Sequence, residues 1–223
     1  MLKREKDNKP KLPKAFLPNQ IQYLLNESKN TQPDFRNYAM IWTFLGSGIR
    51  NNELVNIQIG DISVRNQKIQ VLPKGKSTKQ ERFITQVALR VLMDYINFKY
   101  EHLKKSLSKE KYDKLYVFSL DGHRAMSTDT VRDIVDKLIK RGEQKGIFPK
   151  DNGFSPHSFR HSFALYALEK GISIYKIKEY LGHSSIKSTE IYLELYDSQM
   201  VDSIEKHPFA QVELSYLKQK EGF

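Results

Sequence analysis

Apolar residues recur at helical spacing in two stretches between about residue 18 and residue 45. This spacing predicts a helix from about residue 18 to residue 29, where positions i, i+3 and i+4 are apolar. A second helix is predicted to follow Asp34, because aspartate is a favoured N-cap. Gly46 and Gly48 should end this helix, since glycine adopts the left-handed conformation that closes helices. Arg50 is therefore expected at a turn.

The hydrophobic period changes from helical to alternating after Arg50. Short strands are predicted at 59–64, 68–72 and 82–84, with turns at 65–66 and 73–78. The predicted fold class is therefore α+β and mainly α-helical, with a small three-stranded antiparallel sheet.

Helical spacing returns in the middle of the chain. Helices are predicted around 88–96 and 131–139, and Ser127 is the expected N-cap of the second. A lysine-rich stretch at 99–114, predicted to be a solvated face, and a strand-like apolar run at 115–120 separate them.

Glycine and serine residues divide the last part of the chain into three short predicted helices. Gly171 and Gly182 are the expected C-caps, and Ser173 and Ser184 are the expected N-caps. The segment from 171 to 200 should therefore consist of short helices joined by tight turns.

The charge of the chain is strongly positive. Among 223 residues, lysine and arginine number 37 and aspartate and glutamate 26, a net charge of +11. A basic surface favours the approach of a polyanion, so nucleic acid is the first partner class to consider. The absence of cysteine excludes disulfides and thiolate catalysis and fits a reducing, cytoplasmic compartment. No apolar run could span a bilayer, so no membrane partner is expected.

The composition divides the chain into three predicted segments. Residues 1–14 are polar and lysine-rich, and are predicted to be a basic linker or arm, either solvated or in contact with DNA phosphates. Residues 15–200 carry the periodic elements and should form one domain. Residues 201–223 are apolar for a tail and are predicted to pack on their own domain or on a neighbouring subunit.

Several short motifs carry side chains that suit phosphodiester cleavage. This reaction needs a nucleophile, positive charge at the non-bridging oxygens and a proton for the leaving oxygen. Arg50 and Arg160 are candidates for the charge, because a planar guanidinium donates to two oxygens and stays protonated; each could instead form a structural salt bridge. His157 lies three residues before Arg160, so on a helix the two side chains share one face.

Two segments partly match motifs of unrelated protein classes, but each lacks a residue that the motif requires. His157 and His161 have metal-ligand spacing, but the metalloprotease motif needs glutamate where Ser158 stands, so no metal site is predicted. Residues 75–77 resemble the end of a nucleotide-binding P-loop, but the motif needs glycine where Gln70 stands. The better role for this segment is a hairpin tip whose lysine protonates a leaving oxygen.

Tyr192 is the candidate nucleophile because of its distance from His183. It follows that histidine by nine residues, and the helix N-terminus predicted just after His183 would favour a nearby phosphate. Tyr196, one helical turn later, is its rival. Taken alone, His161 and His183 would each more commonly be a packed or capping histidine.

In this order, the residues resemble the catalytic domain of the tyrosine recombinases, which include lambda-type phage integrases and chromosome-dimer resolvases. The similarity covers about residues 15–200. The matching stretches are Ser47-Gly48-Ile49-Arg50-x-x-Glu53-Leu54, Lys74, His157-Ser158-Phe159-Arg160-His161-x-x-Ala164, Leu181-Gly182-His183 and Tyr192. The resemblance implies that DNA strands are broken and rejoined through a 3′-phosphotyrosyl ester, without metal, ATP or another cofactor.

The resemblance also implies the roles of the residues that act on the phosphate. Tyr192 would attack it, and Arg50 and Arg160 would hold its non-bridging oxygens. His183 would donate a hydrogen bond to it, and His157 would aid proton transfer at the tyrosine.

Three further roles follow from the same resemblance. Lys74 would protonate the leaving 5′-oxygen, but residues 74–79 form a longer hairpin than the family's common form, so Lys76 and Lys79 remain rivals. Glu53 would buttress the site by orienting Arg50 or another site residue, and His161 would be a supporting residue.

The function predicted from the sequence is site-specific DNA recombination or integration on double-stranded DNA, near the nucleoid. The alternatives are a type IB topoisomerase, which usually has lysine where His157 stands, and a non-catalytic DNA-binding relative. Full-length members carry a core-binding domain before the catalytic one, so the chain is predicted to be an excised fragment or a naturally short member. A homo-oligomer, a tetramer on DNA, would form through residues 201–223.

Overall fold

Helices make up most of the described chain. The structure, a computed structural model, describes residues 13–29 and 35–204, without the side chains of 195 and 197–204. Its helices are α1 (Pro18–Lys29), α2 (Arg36–Ser47), α3 (Asn51–Val55), α4 (Gln86–Ser106), α5 (Lys109–Asp113), α6 (Thr128–Gln144), α7 (Pro156–Glu169), α8 (Ile174–Leu181) and α9 (Lys187–Ile204). Its strands are β1 (Ile62–Ser63), β2 (Lys68–Val71) and β3 (Gln80–Phe83).

The three strands form one antiparallel sheet in the order β1-β2-β3. The predicted fold class and sheet are therefore confirmed. The first strand is shorter than predicted, because Ile59–Asp61 forms a 3₁₀ turn in which the Asp61 carboxylate accepts the Gln58 backbone N–H at 3.0 Å. The hairpin between β2 and β3 projects from the sheet as an exposed tip that carries Lys74.

The main core forms around α2, which packs against α1, α4 and α7. Its Phe44 ring stacks on Phe159 of α7, with 5.4 Å between the ring centroids. A second, smaller cluster joins α7, α8 and α9, and it contains Leu181 and the Tyr192 ring. The side chains of the candidate site are therefore held by the last three helices and by the main core beneath them.

Three predicted helix ends are confirmed by their capping contacts or backbone conformation. The Ser127 hydroxyl accepts the Thr130 N–H at 3.0 Å, and that of Ser173 accepts the Lys176 N–H at 3.5 Å. Gly182 closes α8 in the left-handed conformation, with φ of 64°.

Two predictions about helix ends were wrong, and a third concerns a residue outside the described ranges. Gly46 does not end α2, because the helix continues through it to Ser47. Within the helix, Gly46 packs against Ala88 of α4. Ser184 is not an N-cap, because α9 begins at Lys187, and α9 is long rather than short. The residue before α2 is Phe35, in a left-handed conformation, while the predicted cap Asp34 lies outside the described residues.

The middle of the chain also differs from its prediction. Helix α4 continues to Ser106 and α5 covers Lys109–Asp113, so most of the lysine-rich stretch is helical, with Lys104 and Lys105 exposed. The run at 115–120 is not a strand, because its ladder pairing is a single bridge between Tyr116 and Gln58. Leu115, Val117 and Phe118 are nevertheless buried, whereas Leu120 is exposed, so burial rather than sheet formation explains most of the pattern.

In the described ranges, no helix is both long and apolar enough to cross a membrane. Residues 1–12 of the predicted arm and residues 205–223 of the predicted tail lie outside these ranges.

Candidate active site

Arg50 is positioned by the turn that joins α2 to α3. Gly48 ends α2 with φ of 61°, and a side chain there would meet those of Phe163 and Leu181. Arg50 then serves as the N-cap of α3, and its backbone N–H donates to Glu53 Oε2 at 2.8 Å. Glu53 is fully buried, and its Oε1 also lies 3.5 Å from Arg50 Nη1. The spacing of arginine and glutamate thus fixes the guanidinium at a helix start.

Arg160 connects the first motif of the sequence to the third. Only 3% of it is exposed, on α7, and it donates from Nη1 to the Gly48 carbonyl at 2.7 Å and from Nη2 to the Leu181 carbonyl at 2.8 Å. Burial and the Arg50 charge lower the pKa of Arg160 to about 10, so it stays charged at neutral pH. The loop before α3 and the end of α8 are therefore held together around one buried cation.

His183 follows the C-cap of α8, and its ring is fixed by the next helix. Its Nδ1 lies 2.8 Å from the Thr189 hydroxyl on α9. Burial, followed by the charges of Arg160, Arg50 and Arg82, lowers the pKa of His183 to about 4. The ring is therefore neutral at neutral pH. If it accepts the Thr189 hydrogen at Nδ1, Nε2 carries the hydrogen that can be donated to a ligand.

The Tyr192 phenol lies against the imidazole of His161. Its oxygen is 3.1 Å from His161 Nδ1, and the tyrosine is only 2% exposed. Burial raises the pKa of Tyr192, whereas the charges of Arg160 and Arg50 act in the opposite direction. Burial, followed by His157 and Arg160, lowers the pKa of His161 to about 4. A protonated phenol therefore faces a neutral imidazole at neutral pH.

The rival tyrosine, Tyr196, lies one turn further along α9. It packs partly buried against the apolar cluster of α7, α8 and α9. The geometry thus distinguishes the two phenols, since it is Tyr192 that meets His161.

An open cationic cavity of about 910 Å³ lies between the β2–β3 hairpin and the end of α8. Its lining includes Arg50, Lys74, Lys76, Lys178, Gly182 and His183. A smaller cavity of about 300 Å³ is lined by Lys74, His157 and Arg132 among others. Lys74 borders both cavities, so it is the hairpin lysine with the widest access to a bound phosphate.

The other hairpin lysines differ in their contacts. Lys79 forms an ion pair with Asp61 at 2.5 Å and donates to Gln58 Oε1 at 3.3 Å. Lys76 lines only the larger of the two cavities. Lys79 is therefore held by Asp61 and Gln58, whereas Lys74 and Lys76 face the larger cavity.

The predicted site residues thus lie at two depths. Arg50, Lys74 and His183 line the larger cavity, and the exposed His157 lines the smaller one. Although His157 as a whole is exposed, the protein around its ring reduces hydration of the charged form, and this, followed by the charges of Arg160, Arg50 and Arg132, lowers the pKa of His157. The buried site residues are Glu53, Arg160 and Tyr192.

Sequence reasoning missed two residues of this site. Arg82, predicted only as part of a strand, is buried and lies 3.3 Å from Glu53. Thr189, which contacts His183, is also buried. Neither belongs to a motif with a chemical signature, so only the pairing of distant segments reveals them. Within the described part of the chain, no cluster of three or more His, Cys, Asp or Glu residues could hold a metal ion.

Comparison with known proteins connects this geometry to one family. The model of the phage integrase family matches residues 14–199. The tyrosine recombinase XerC of Caldanaerobacter subterraneus subsp. tengcongensis is 30% identical over 207 residues, which is 89% of this chain and 54% of the relative. The chain thus spans just over half the length of that relative.

Solved structures share the fold. The XerA recombinase superimposes with a TM-score of 0.66 at 24% identity, over 90% of this chain and 67% of that one. The Tn1549 transposon integrase in complex with transposon right end DNA superimposes with a TM-score of 0.62 at 18% identity, over 84% of this chain and 63% of that one. The family match covers most of the chain, and the folds agree. The chain therefore belongs to the phage integrase family, the tyrosine recombinases.

Proposed function

We propose that this chain is the catalytic part of a site-specific DNA recombinase or integrase that acts through a phosphotyrosyl intermediate. The observation that carries the proposal is the placement of the Tyr192 phenol beside His161 and the Arg160 guanidinium, while Arg50, whose charge also acts on the phenol, lines a cationic cavity. The net charge of +11 supports double-stranded DNA as the partner. The XerC relative and the Tn1549 integrase complex also support recombination rather than topoisomerase activity.

The proposed reaction balances without an external energy source. The Tyr192 oxygen attacks phosphorus, a phosphotyrosyl bond forms, and the bond to the 5′-oxygen breaks. The 5′-oxygen takes a proton from Lys74, and the phenol proton passes to the histidine pair, in which His161 touches the oxygen and His157 lies nearby. Attack by the 5′-hydroxyl of a second strand reverses these steps, so the ester conserves the bond energy.

Charge on the phosphate is the main barrier that the site has to lower. Arg50 is a third exposed and lines the cavity, so it can donate to the non-bridging oxygens directly. Arg160 donates two hydrogen bonds to backbone carbonyls and has further N–H groups that can donate to the phosphate. His183 can donate to the phosphate from Nε2. Because Tyr192 is covered, DNA binding has to uncover its oxygen before attack.

Trapping on a suicide DNA substrate tests the nucleophile. A nicked substrate loses its 5′-hydroxyl strand after cleavage, so the covalent adduct accumulates and peptide mapping identifies the modified residue. We expect wild type to form the adduct and Tyr192→Phe to form none, because phenylalanine lacks the attacking oxygen. Tyr196→Phe is the matched control and should keep the adduct. An adduct on Tyr192→Phe, or none on wild type, would refute the proposal.

The division of the chain is also part of the proposal. Residues 15–200 form the catalytic domain, 1–14 a basic arm, and 201–223 a tail that joins subunits into a tetramer on DNA. The role of the tail is supported by an apolar groove of about 420 Å³ near Phe83, Phe163 and Tyr180. The tail of a neighbouring subunit could fill this groove. A chain shortened to residue 204 should lose the higher-order complexes that the full chain forms on two-site DNA in sedimentation; unchanged complexes would refute this role.

The proposed location is the cytoplasm, at the nucleoid. It follows from the proposed DNA substrate and from the positive charge of the chain. Imaging of a fluorescent fusion in a bacterial cell tests it, and exclusion of the fusion from the DNA would contradict it.

A further inference from the structure

Arg82 is a buried cation that none of the roles above includes. It lies on β3 and is only 3% exposed. Its Nη1 donates to the Glu81 carbonyl at 2.9 Å, and its Nη2 lies 3.1 Å from Gln80 Oε1 and 3.3 Å from Glu53 Oε1. Burial of a charge is costly unless the charge is paired, so this position has to compensate that cost through its contacts.

The Arg82 guanidinium also fills the space at the end of α8. A Cβ atom added at Gly182 would overlap the guanidinium carbon and both terminal nitrogens of Arg82. His183 follows directly, and the Arg82 charge contributes to its lowered pKa. The side chain therefore touches the turn that presents His183 to the cavity.

Glu53 is shared between two arginines. Its Oε1 lies 3.5 Å from Arg50 Nη1 and 3.3 Å from Arg82 Nη2. With both present, one carboxylate faces two guanidinium groups, and one positive charge remains for a ligand. Without Arg82, Glu53 and Arg50 would form a neutral pair, and the phosphate would compete with a buried carboxylate for Arg50.

We propose that Arg82 is a positioning residue of the cleavage reaction, which compensates Glu53 so that Arg50 remains available to the scissile phosphate. It does so from β3, without itself touching the phosphate, and it supports the turn before His183. The inference rests on the proposed recombinase function.

Single-turnover cleavage of the suicide substrate by two variants tests this role. Arg82→Met should cleave roughly 10- to 100-fold more slowly than wild type, the range expected for loss of a charged hydrogen-bond partner. The double variant Glu53→Gln, Arg82→Met should cleave faster than Arg82→Met, because no carboxylate remains to hold Arg50. A purely structural role predicts the reverse, since the double variant loses a second partner.

Arg141→Met is the matched control. It removes an arginine from an ion pair with Glu27 on the surface of α1 and α6, and its cleavage rate should equal that of wild type. Arg82→Met at the wild-type rate, or a double variant no faster than Arg82→Met, would overturn the inference. Failure of wild type to form an adduct would instead overturn the proposed function.

Circular dichroism identifies a variant that has lost its fold. In that case Arg82→Lys, which keeps the charge, is compared with Arg82→Gln, which keeps hydrogen-bond donors but not the charge. The lysine variant should cleave faster. Equal rates for the two would overturn the inference, because it depends on the charge.

Discussion

Around Tyr192, burial decides which groups carry protons. It lowers the pKa of His161 and of His183 to about 4, and it raises the pKa of the Tyr192 phenol. At neutral pH the phenol is therefore protonated and the imidazole neutral; in the tautomer that carries its hydrogen on Nε2, the phenol donates to His161 Nδ1. In that tautomer the hydrogen bond helps to hold the nucleophile of the proposed reaction and gives its proton a destination.

The acceptor at position 161 can be tested with two substitutions of similar size. His161→Asn places an amide oxygen near the position of Nδ1, whereas His161→Leu offers no acceptor. We expect single-turnover cleavage by the leucine variant to fall by roughly 10-fold or more, and the asparagine variant to keep a larger part of the rate. Equal rates for the two variants would show that the hydrogen bond to Tyr192 does not contribute.

At the scale of elements, the motif glycines are explained by what lies against them. Gly48 ends α2 against Phe163 and Leu181, and Gly182 ends α8 against Arg82. Both have positive φ, at 61° and 64°. These turns bring Arg50 and His183 to the same cavity, so the glycines matter through packing as well as through backbone conformation.

Gly182→Ala and Gly171→Ala separate these two effects. Gly171 also has positive φ, at 77°, but nothing lies within 4 Å of an added Cβ. We expect Gly171→Ala to lower the free energy of unfolding by about 1–2 kcal/mol, the cost of a left-handed residue. Gly182→Ala should lose roughly 1–3 kcal/mol more, because its methyl group overlaps Arg82. Urea denaturation measures both, and equal losses would contradict the contact with Arg82.

At the scale of the whole molecule, the buried histidines make stability depend on pH. The pKa values of His161 and His183 are about 4 in the fold, against about 6.5 in an unfolded chain. Between these values the unfolded state binds more protons, so acid favours unfolding. The contribution of the two neutral histidines to the free energy of unfolding is fully present above about pH 6.5. It is lost as the pH falls towards 4.

Thermal unfolding between pH 7 and pH 4 tests this dependence. We expect the Tm of wild type to fall across this window, and that of a His161→Gln, His183→Gln variant to fall less steeply. Carboxylates titrate in the same range in both proteins, so the difference between the two slopes isolates the histidines. Parallel slopes would show that the two rings are not held neutral by the fold.

The sequence predicted those elements whose signals are local. Helix α1, the caps Ser127 and Ser173 and the turn at Gly182 depend on neighbours within a few residues, and the structure confirms them. The run at 115–120 was misread, because an apolar segment that is buried without sheet pairing has the same pattern as a strand. The start of α9 was also misread, since serine is common both in caps and in turns.

The sequence by itself determined the chemical set: two arginines, three histidines, hairpin lysines and a tyrosine in a fixed order. Only the tertiary structure decided how they are paired. Arg82 meets Glu53 across 29 residues, and Tyr192 meets His161 across 31. Such contacts form when separate helices and strands pack around a common core, and no local pattern of the chain encodes which partner lies opposite.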